Sequence, residues 1–262
     1  MNKHTYLSLF FLIIFSVSIS SQDNTIEEVI VTATKTEKTL QEVPVAVSVV
    51  TSDVIEKATI LDTFDLKSVI PSLDSRQYQS STNATFFIRG FGNGSNNPGV
   101  EPSVALFVVG VYRSKTQSQI SDLPMLERIE VLRGPQSTLF GKNASAGVIN
   151  IVTKKPSFEE STMISAGIGK YNSRVGKIYT TGPLSDTTAY SFNANFNKRD
   201  GHSDNPVTGN SVNNRDRFGI RAELLFVPAD DLSIRVTADY DEYDEICCAV
   251  GSTSYGTANV VT

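Results

Sequence analysis

The residues able to do chemistry are few and scattered. The chain has two histidines, His4 and His202, and no tryptophan. With only His202 outside the first few positions, neither a histidine-based triad nor a multi-histidine metal site can be assembled. Cys247 and Cys248 are adjacent, and neighbouring cysteines close on each other only with strain. The expectation is therefore a loop pair awaiting partners, or two free thiols. Asp239, Asp241, Glu242, Asp244 and Glu245 concentrate acid, but they lack the glycine and spacing of a calcium loop and read as a solvated outer loop. Gly134 to Lys142 suggests a phosphate loop, yet Asn143 stands where that loop needs Ser or Thr. In Gly90-Phe91-Gly92-Asn93-Gly94, Ser95 takes the place of the third glycine of a dinucleotide fingerprint. No catalytic residue, metal site or cofactor is expected, and an enzyme is disfavoured. The net charge of −5 argues against a nucleic-acid partner.

What remains is a chain organised by its elements. Residues 1–20 read as an export signal: Lys3 and His4 give a short basic start, Leu7 to Ile19 an apolar run, and Ser18-Ile19-Ser20 a small-x-small cleavage pattern. The run is too short to span a bilayer as a helix. Residues 21–42 are polar around one β-prone island, Glu27 to Thr34. That island is either a frayed terminal strand or an extended peptide able to add an edge strand to a partner's sheet. Residues 43–155 mix both periods. Val45 to Val50 reads as a strand, and a short helix follows from Ser52 or Asp53 to Ala58. A second helical stretch starts at Asp62 and is halted by Pro71. Four further strands fall at Phe86 to Ile88, Val104 to Val109, Ile129 to Leu132 and Val148 to Val152. The unbroken apolar run Val104 to Val109 marks a strand covered on both faces.

After Pro156 the texture becomes strict alternation. Thr188 to Asn197, Arg217 to Phe226 and Leu232 to Tyr240 each set apolar against polar residues at period 2, with Leu225 the one slip. Weaker strands precede them near Thr162 to Gly169 and Arg174 to Thr181. Wet faces with charges and amides, and short turns alternating with long loops such as Asp200 to Asn214, fit outer-membrane strands better than a soluble sandwich.

On these residues the chain resembles the TonB-dependent receptor family. Glu28-Val29-Ile30-Val31-Thr32-Ala33 is similar to the TonB box, and Ile88-Arg89-Gly90 to one plug signature. Leu126 to Gly141 (LERIEVLRGPQSTLFG) is similar to the most specific signature, continued by Ala146 to Lys154. One departure is Val109 before Gly110, where the family more often has Asp. The resemblance implies an α+β plug domain (43–155) followed by antiparallel strands of an incomplete transmembrane β-barrel (156–262). About five strands would be present, of about 22 in a plugged transporter. It implies a bacterial outer-membrane location and contact with outer-membrane lipid. It also implies TonB of the inner-membrane energy-transducing complex as the partner, gripping a 22–41 segment that stays unstructured until bound. The implied work is active uptake of a scarce, large ligand, foremost a ferric siderophore. Cobalamin, haem and carbohydrate are alternatives, and a secreted adhesin is the rival class. Arg89 and Arg133 are expected to lock the plug to acidic residues on the inner barrel wall, Glu223 being one conceivable partner. Phe91, Asn93, Asn96, Tyr112 and Arg113 are the candidates for the ligand-facing surface.

Overall fold

A computed structural model describes residues 30–247, apart from 33, 34, 37, 78, 79, 82, 94–98, 120, 121, 123, 124, 206 and 207. The chain opens with a hairpin of β1 (Ile30–Val31) and β2 (Lys38–Thr39). Then come β3 (Val47–Thr51), α1 (Ser52–Lys57), β4 (Leu73–Gln77), β5 (Ala84–Ile88), β6 (Phe91–Gly92), β7 (Val104–Val108), β8 (Val111–Tyr112), β9 (Leu126–Arg133), α2 (Ser137–Phe140) and β10 (Gly147–Thr153). Five of these strands form a sheet in the order β3-β9-β10-β7-β8, while β4, β5 and β6 form a smaller sheet. Alternation along the central strands sends side chains to two separate cores. Ile129, Val131, Ile149, Ile151 and Leu106 pack on one face with Ile55 of α1 and with Phe86 and Ile88 of the smaller sheet. Leu132, Val148, Ala105 and Phe107 pack on the other face with Val31, Val43 and Ala144. The β7 run lacks alternation because both faces are covered.

The stretch after Asp62 is not the expected helix but a 3-10 turn, Asp65–Ser68. Its acids compete for the backbone. Asp65 Oδ2 accepts from the N–H groups of Leu61 and Asp62, and Asp62 Oδ1 from those of Phe64 and Asp65. The apolar positions are still used, since Leu66 and Ile70 are buried in the first core.

The second body is an antiparallel meander of long strands: β11 (Ser161–Gly169), β12 (Ser173–Ser185) and β13 (Thr188–Arg199), then β16 (Arg215–Ala229) and β17 (Leu232–Tyr243). A small ladder of β14 (Ser203–Asp204) and β15 (Ser211–Val212) orders the long loop between β13 and β16. The usual sidedness of a protein sheet is reversed here. Ser191, Asn193, Asn197, Arg217 and Glu223 are buried, whereas Phe192, Phe196, Phe218, Leu224, Ile234 and Val236 are exposed. An apolar outer band over a polar inner face is the surface of a lipid-embedded wall. Register explains the slip at Leu225, which faces Ala189 and Arg235 across the ladder and so belongs to the inner row. No described helix is long and apolar enough to cross a membrane. Cys247 is disulfide-bonded, against the expectation of free thiols or of an unpaired loop pair.

Two plug hairpins turn on two residues each. Arg89–Gly90 closes β5 onto β6, and Val109–Gly110 closes β7 onto β8. All four residues have positive φ: 54° and 78° in the first turn, 51° and 76° in the second. Such turns match the strand twist but favour Asn or Asp followed by Gly. A β-branched valine in that region is strained by about 1–2 kcal/mol, which is the physical meaning of the departure at position 109. Val109→Asn is expected to stabilise the protein by about 1 kcal/mol, part of the strain relief being offset by lost contact with the first core. The readout is a higher denaturant midpoint at unchanged slope; an unchanged or lower midpoint rejects the strain.

Candidate functional site

The N-terminal hairpin lies against the polar part of the second core. On β9, alternation places Arg128 and Glu130 on the same face as Leu132, and register sets Asn150 of β10 opposite Glu130. Glu130 has no solvent exposure, and a buried carboxylate must be fully hydrogen-bonded. Its donors come from two directions. Arg128 Nε donates at 2.8 Å and Asn150 Nδ2 at 3.1 Å from the sheet. The Thr32 N–H donates at 2.8 Å from the hairpin, with its hydroxyl at 3.2 Å. Asn150 Nδ2 also donates to Thr32 Oγ1 at 3.2 Å. Val31, alongside, is fully buried, a contribution of about 1.5–3 kcal/mol. The hairpin turns where the Lys35 N–H donates to Thr32 O, and Lys35 Nζ sits over the Phe140 ring. The expectation of an unstructured handle is therefore corrected for Ile30, Val31 and Thr32, which are paired and docked. Glu28, Val29 and Ala33 lie outside the described residues.

A second cluster joins plug and wall at the end that carries the long loop. An isolated bridge brings Asp62 and Asp122 together from two plug segments. Between them reaches Arg217 of β16, with Nη1 2.9 Å from a carboxylate oxygen of each. Glu245, just beyond β17, closes on its Nε at 2.5 Å. Arg215 adds a 3.0 Å pair to Asp62, and the Tyr243 ring stacks near the Arg217 guanidinium. Burial pushes the Asp122 carboxyl above its usual range despite Arg217, and its Oδ2 lacks a partner. At the opposite, short-turn end, Arg235 of β17 pairs with Glu223 at 2.6 Å and donates to Thr153 Oγ1 and Lys154 O at the exit of the plug.

Arg89 and Arg133 stand apart from both clusters. Arg89 is exposed at its hairpin corner. Arg133 is half-buried, donates its N–H to Ala46 O and leaves Nε without an acceptor. Among the described residues neither makes an ion pair, and the ion pairs between plug and wall have the opposite polarity: acids on the plug, arginines on the wall. Arg217 was visible on the wet side of the alternation; its partners were not. Of the ligand-facing candidates, two share one surface network. Asn93 Nδ2 donates to Glu101 O, Glu101 pairs with Lys142, and Asn143 Nδ2 donates to Tyr112 Oη. The Glu101 carboxyl is held below its usual range by Lys142 and then by Asn143. Phe91 is 73% exposed and Arg113 half-buried, outside that network. Asn96 lies outside the described residues.

The clusters make a graded expectation. Arg217→Met removes the cation shared by three carboxylates, of which Asp62 keeps its 3.0 Å pair with Arg215, and should weaken the seating of the plug by about 3–5 kcal/mol, raising leakage of large antibiotics while the wall still assembles. Asp122→Asn should cost less than Arg217→Met, because burial already favours its neutral form. Arg89→Met/Arg133→Met tests the original lock. Leakage in that double variant with none in Arg217→Met would reverse the assignment.

Comparison with known proteins completes the picture. The TonB-dependent Receptor Plug Domain family matches residues 39–148. The pesticin receptor of Yersinia pestis is 32% identical over 181 residues, covering 69% of this chain and 26% of that protein. The vitamin B12 transporter BtuB of Vibrio vulnificus is 27% identical over 206 residues, covering 76% of this chain and 32% of that protein. The crystal structure of the ferric yersiniabactin uptake receptor FyuA from Yersinia pestis superposes with a TM-score of 0.70 at 28% identity, covering 75% of this chain and 31% of that one. The chain thus spans between about a quarter and a third of the curated relatives named here, 26% and 32% of their lengths. These relatives are receptors and transporters rather than enzymes. A plug domain of that family beside a wall that hides its polar face and shows its apolar one places the chain in the bacterial outer membrane, as a member of the TonB-dependent receptor family.

Proposed function

We propose that this chain supplies the plug and first wall strands of a receptor that takes up a ferric siderophore by TonB-dependent active transport. The observation that carries the reading is the way the plug is held. It meets the wall through ion pairs at Arg217 and hydrogen bonds from Arg235, contacts that can be broken and remade. Its N-terminal segment is a two-residue ladder at its margin. A conduit wide enough for a large ligand leaks unless something fills it, and a filler that must move needs a handle. Ile30 to Thr32 supplies the handle, and strand addition is the mode by which TonB would take it.

The relatives support the siderophore, one of them being named for ferric yersiniabactin uptake. A second reading, cobalamin uptake, is favoured by the match to a protein named as a vitamin B12 transporter. Iron-limited cells carrying the whole protein should accumulate radiolabelled iron from a panel of siderophores, and lose this without TonB. Accumulation of labelled cobalamin with no iron uptake would establish the second reading instead. Within the first, Ile30→Pro is expected to abolish uptake and to leave surface binding of the ligand intact, since proline removes a backbone donor from the pairing strand. Unchanged uptake would remove Glu28 to Ala33 as the contact site.

A further inference from the structure

Between the plug and the inner face of the wall lies a cavity of about 450 Å³, within the size range of small-molecule sites. Ile55, Ile60 and Met125 of the plug line one side, and Lys177 and Asn197 of the wall the other, while Asp122 reaches it from the Arg217 cluster. We propose that this cavity binds a small oxyanion, a carboxylate or a sulfate-like ion. Lys177 and Asn197 of the wall hold it, and it shares one proton with Asp122 of the plug. The site is independent of which ligand the protein transports.

Two buried atoms carry the inference. Asn197 is 5% exposed and Asp122 8%, yet Asn197 Nδ2 and Asp122 Oδ2 have no hydrogen-bond partner among the described residues. Both side chains line the cavity without bonding each other, so an occupant has to serve them. Register brings the donors together. Lys177 lies directly across the ladder from Asn195, and Asn197 directly across from Val175 and Arg217. Lys177 and Asn197 therefore stand on the inward row as diagonal neighbours. Lys177 is half-buried and makes no ion pair among the described residues. Arg217, by contrast, is already shared by Asp62, Asp122 and Glu245. An uncommitted ammonium beside an unused amide donor is a place for a negative charge.

Asp122 sets the remaining condition. A bare carboxylate repels an oxyanion, so a proton must lie between the two. Burial, opposed first by Arg217, already pushes the Asp122 carboxyl above its usual range. The proton can sit on Oδ2 while Oδ1 goes on accepting from Arg217 Nη1 at 2.9 Å. Asp62 and Arg215 are the other charged groups facing Asp122, and Glu56 and Asp122 are the acids facing Lys177. Because the anion touches wall and plug together, occupancy ties one to the other. Departure of the plug becomes less favourable by about elevenfold at ten times the dissociation constant.

The test titrates sulfate and acetate into the whole protein in detergent by calorimetry, near neutral pH, in two buffers of different protonation enthalpy. The wild type is expected to bind with uptake of up to one proton. Asp122→Asn should bind without uptake, its amide donating in place of the acid. Lys177→Met should weaken binding about tenfold or more, the fold-change of one charge-assisted hydrogen bond. Glu56→Gln, which removes a facing acid, should tighten it. The tighter of the two anions identifies the class. The bound anion should also raise the urea midpoint for release of a labelled plug, and should fail to do so in Lys177→Met, which separates occupancy from a general salt effect. Absence of binding in both the wild type and Asp122→Asn overturns the site, and so does unchanged affinity in Lys177→Met. Equal proton uptake in the wild type and Asp122→Asn overturns the shared proton. If Lys177→Met does not fold, the proton count in the wild type against Asp122→Asn decides alone.

Discussion

The guanidinium of Arg217 is the point at which the two bodies of this chain become one. It lies on the inner face of a wall strand, only 3% exposed, between two plug carboxylates and one from the wall. An arginine cannot escape burial by shedding its proton, so the plug must bring Asp62 and Asp122 to it or the interface fails. That demand reaches far into the plug. Asp62 reaches the wall because its other oxygen is pinned by the backbone of its own turn, through the Phe64 and Asp65 N–H groups. Leu66 and Ile70, buried just beyond, anchor that turn to the first core. The wall makes the matching demand of its own sequence. Only strict alternation can turn Arg217, Glu223 and Arg235 inward while Phe218, Leu224 and Ile234 meet lipid.

What was legible in the sequence follows from how far each signal travels. The wall strands could be read because period 2 is local: every residue declares its face against its immediate neighbours, and the observed strands contain the expected ones. Leu225 misled only until its row was known, since an inner position beside Arg235 and Ala189 accepts an apolar side chain at the plug boundary. In the plug, β3, β5, β7, β9 and β10 were legible through apolar runs, whereas β4, with the sequence LDSRQ, was not. The stretch after Asp62 was not, because helical spacing of Phe64, Leu66, Val69 and Ile70 says nothing of two aspartates that prefer the backbone as partner.

The functional contacts were the least legible, for the same reason in reverse. Thr32 meets Glu130 across 98 positions of chain, and Arg217 meets Asp62 across 155. Neither acid differs in its local pattern from a solvated one. Glu130 even sits inside the most recognisable signature of the chain, where its type could be noted but its role in holding the N-terminal segment could not. Arg89 and Arg133 drew attention because each ends an apolar strand and precedes a glycine. The structure gives that pattern a local cause, at least for Arg89, whose positive φ makes it a hairpin corner.

The two clusters share a design that a fused interface would lack. When the hairpin leaves Glu130, the carboxylate retains donors from its own sheet. When the plug leaves Arg217, the guanidinium retains Glu245 from its own wall, and Asp62 retains the backbone donors of its own turn. Glu130, Arg217 and Asp62 each keep partners after separation, and burial already favours the neutral form of Asp122, the exception, so the cost of parting is the exchange of some hydrogen bonds for water rather than the stranding of a bare charge. An apolar seam of the same area would hold by burial alone, and opening it would expose surface that the periplasm penalises and other chains would cover. Ion pairs with resident partners on both sides are tight enough to seat a plug and still allow it to be drawn away and to return.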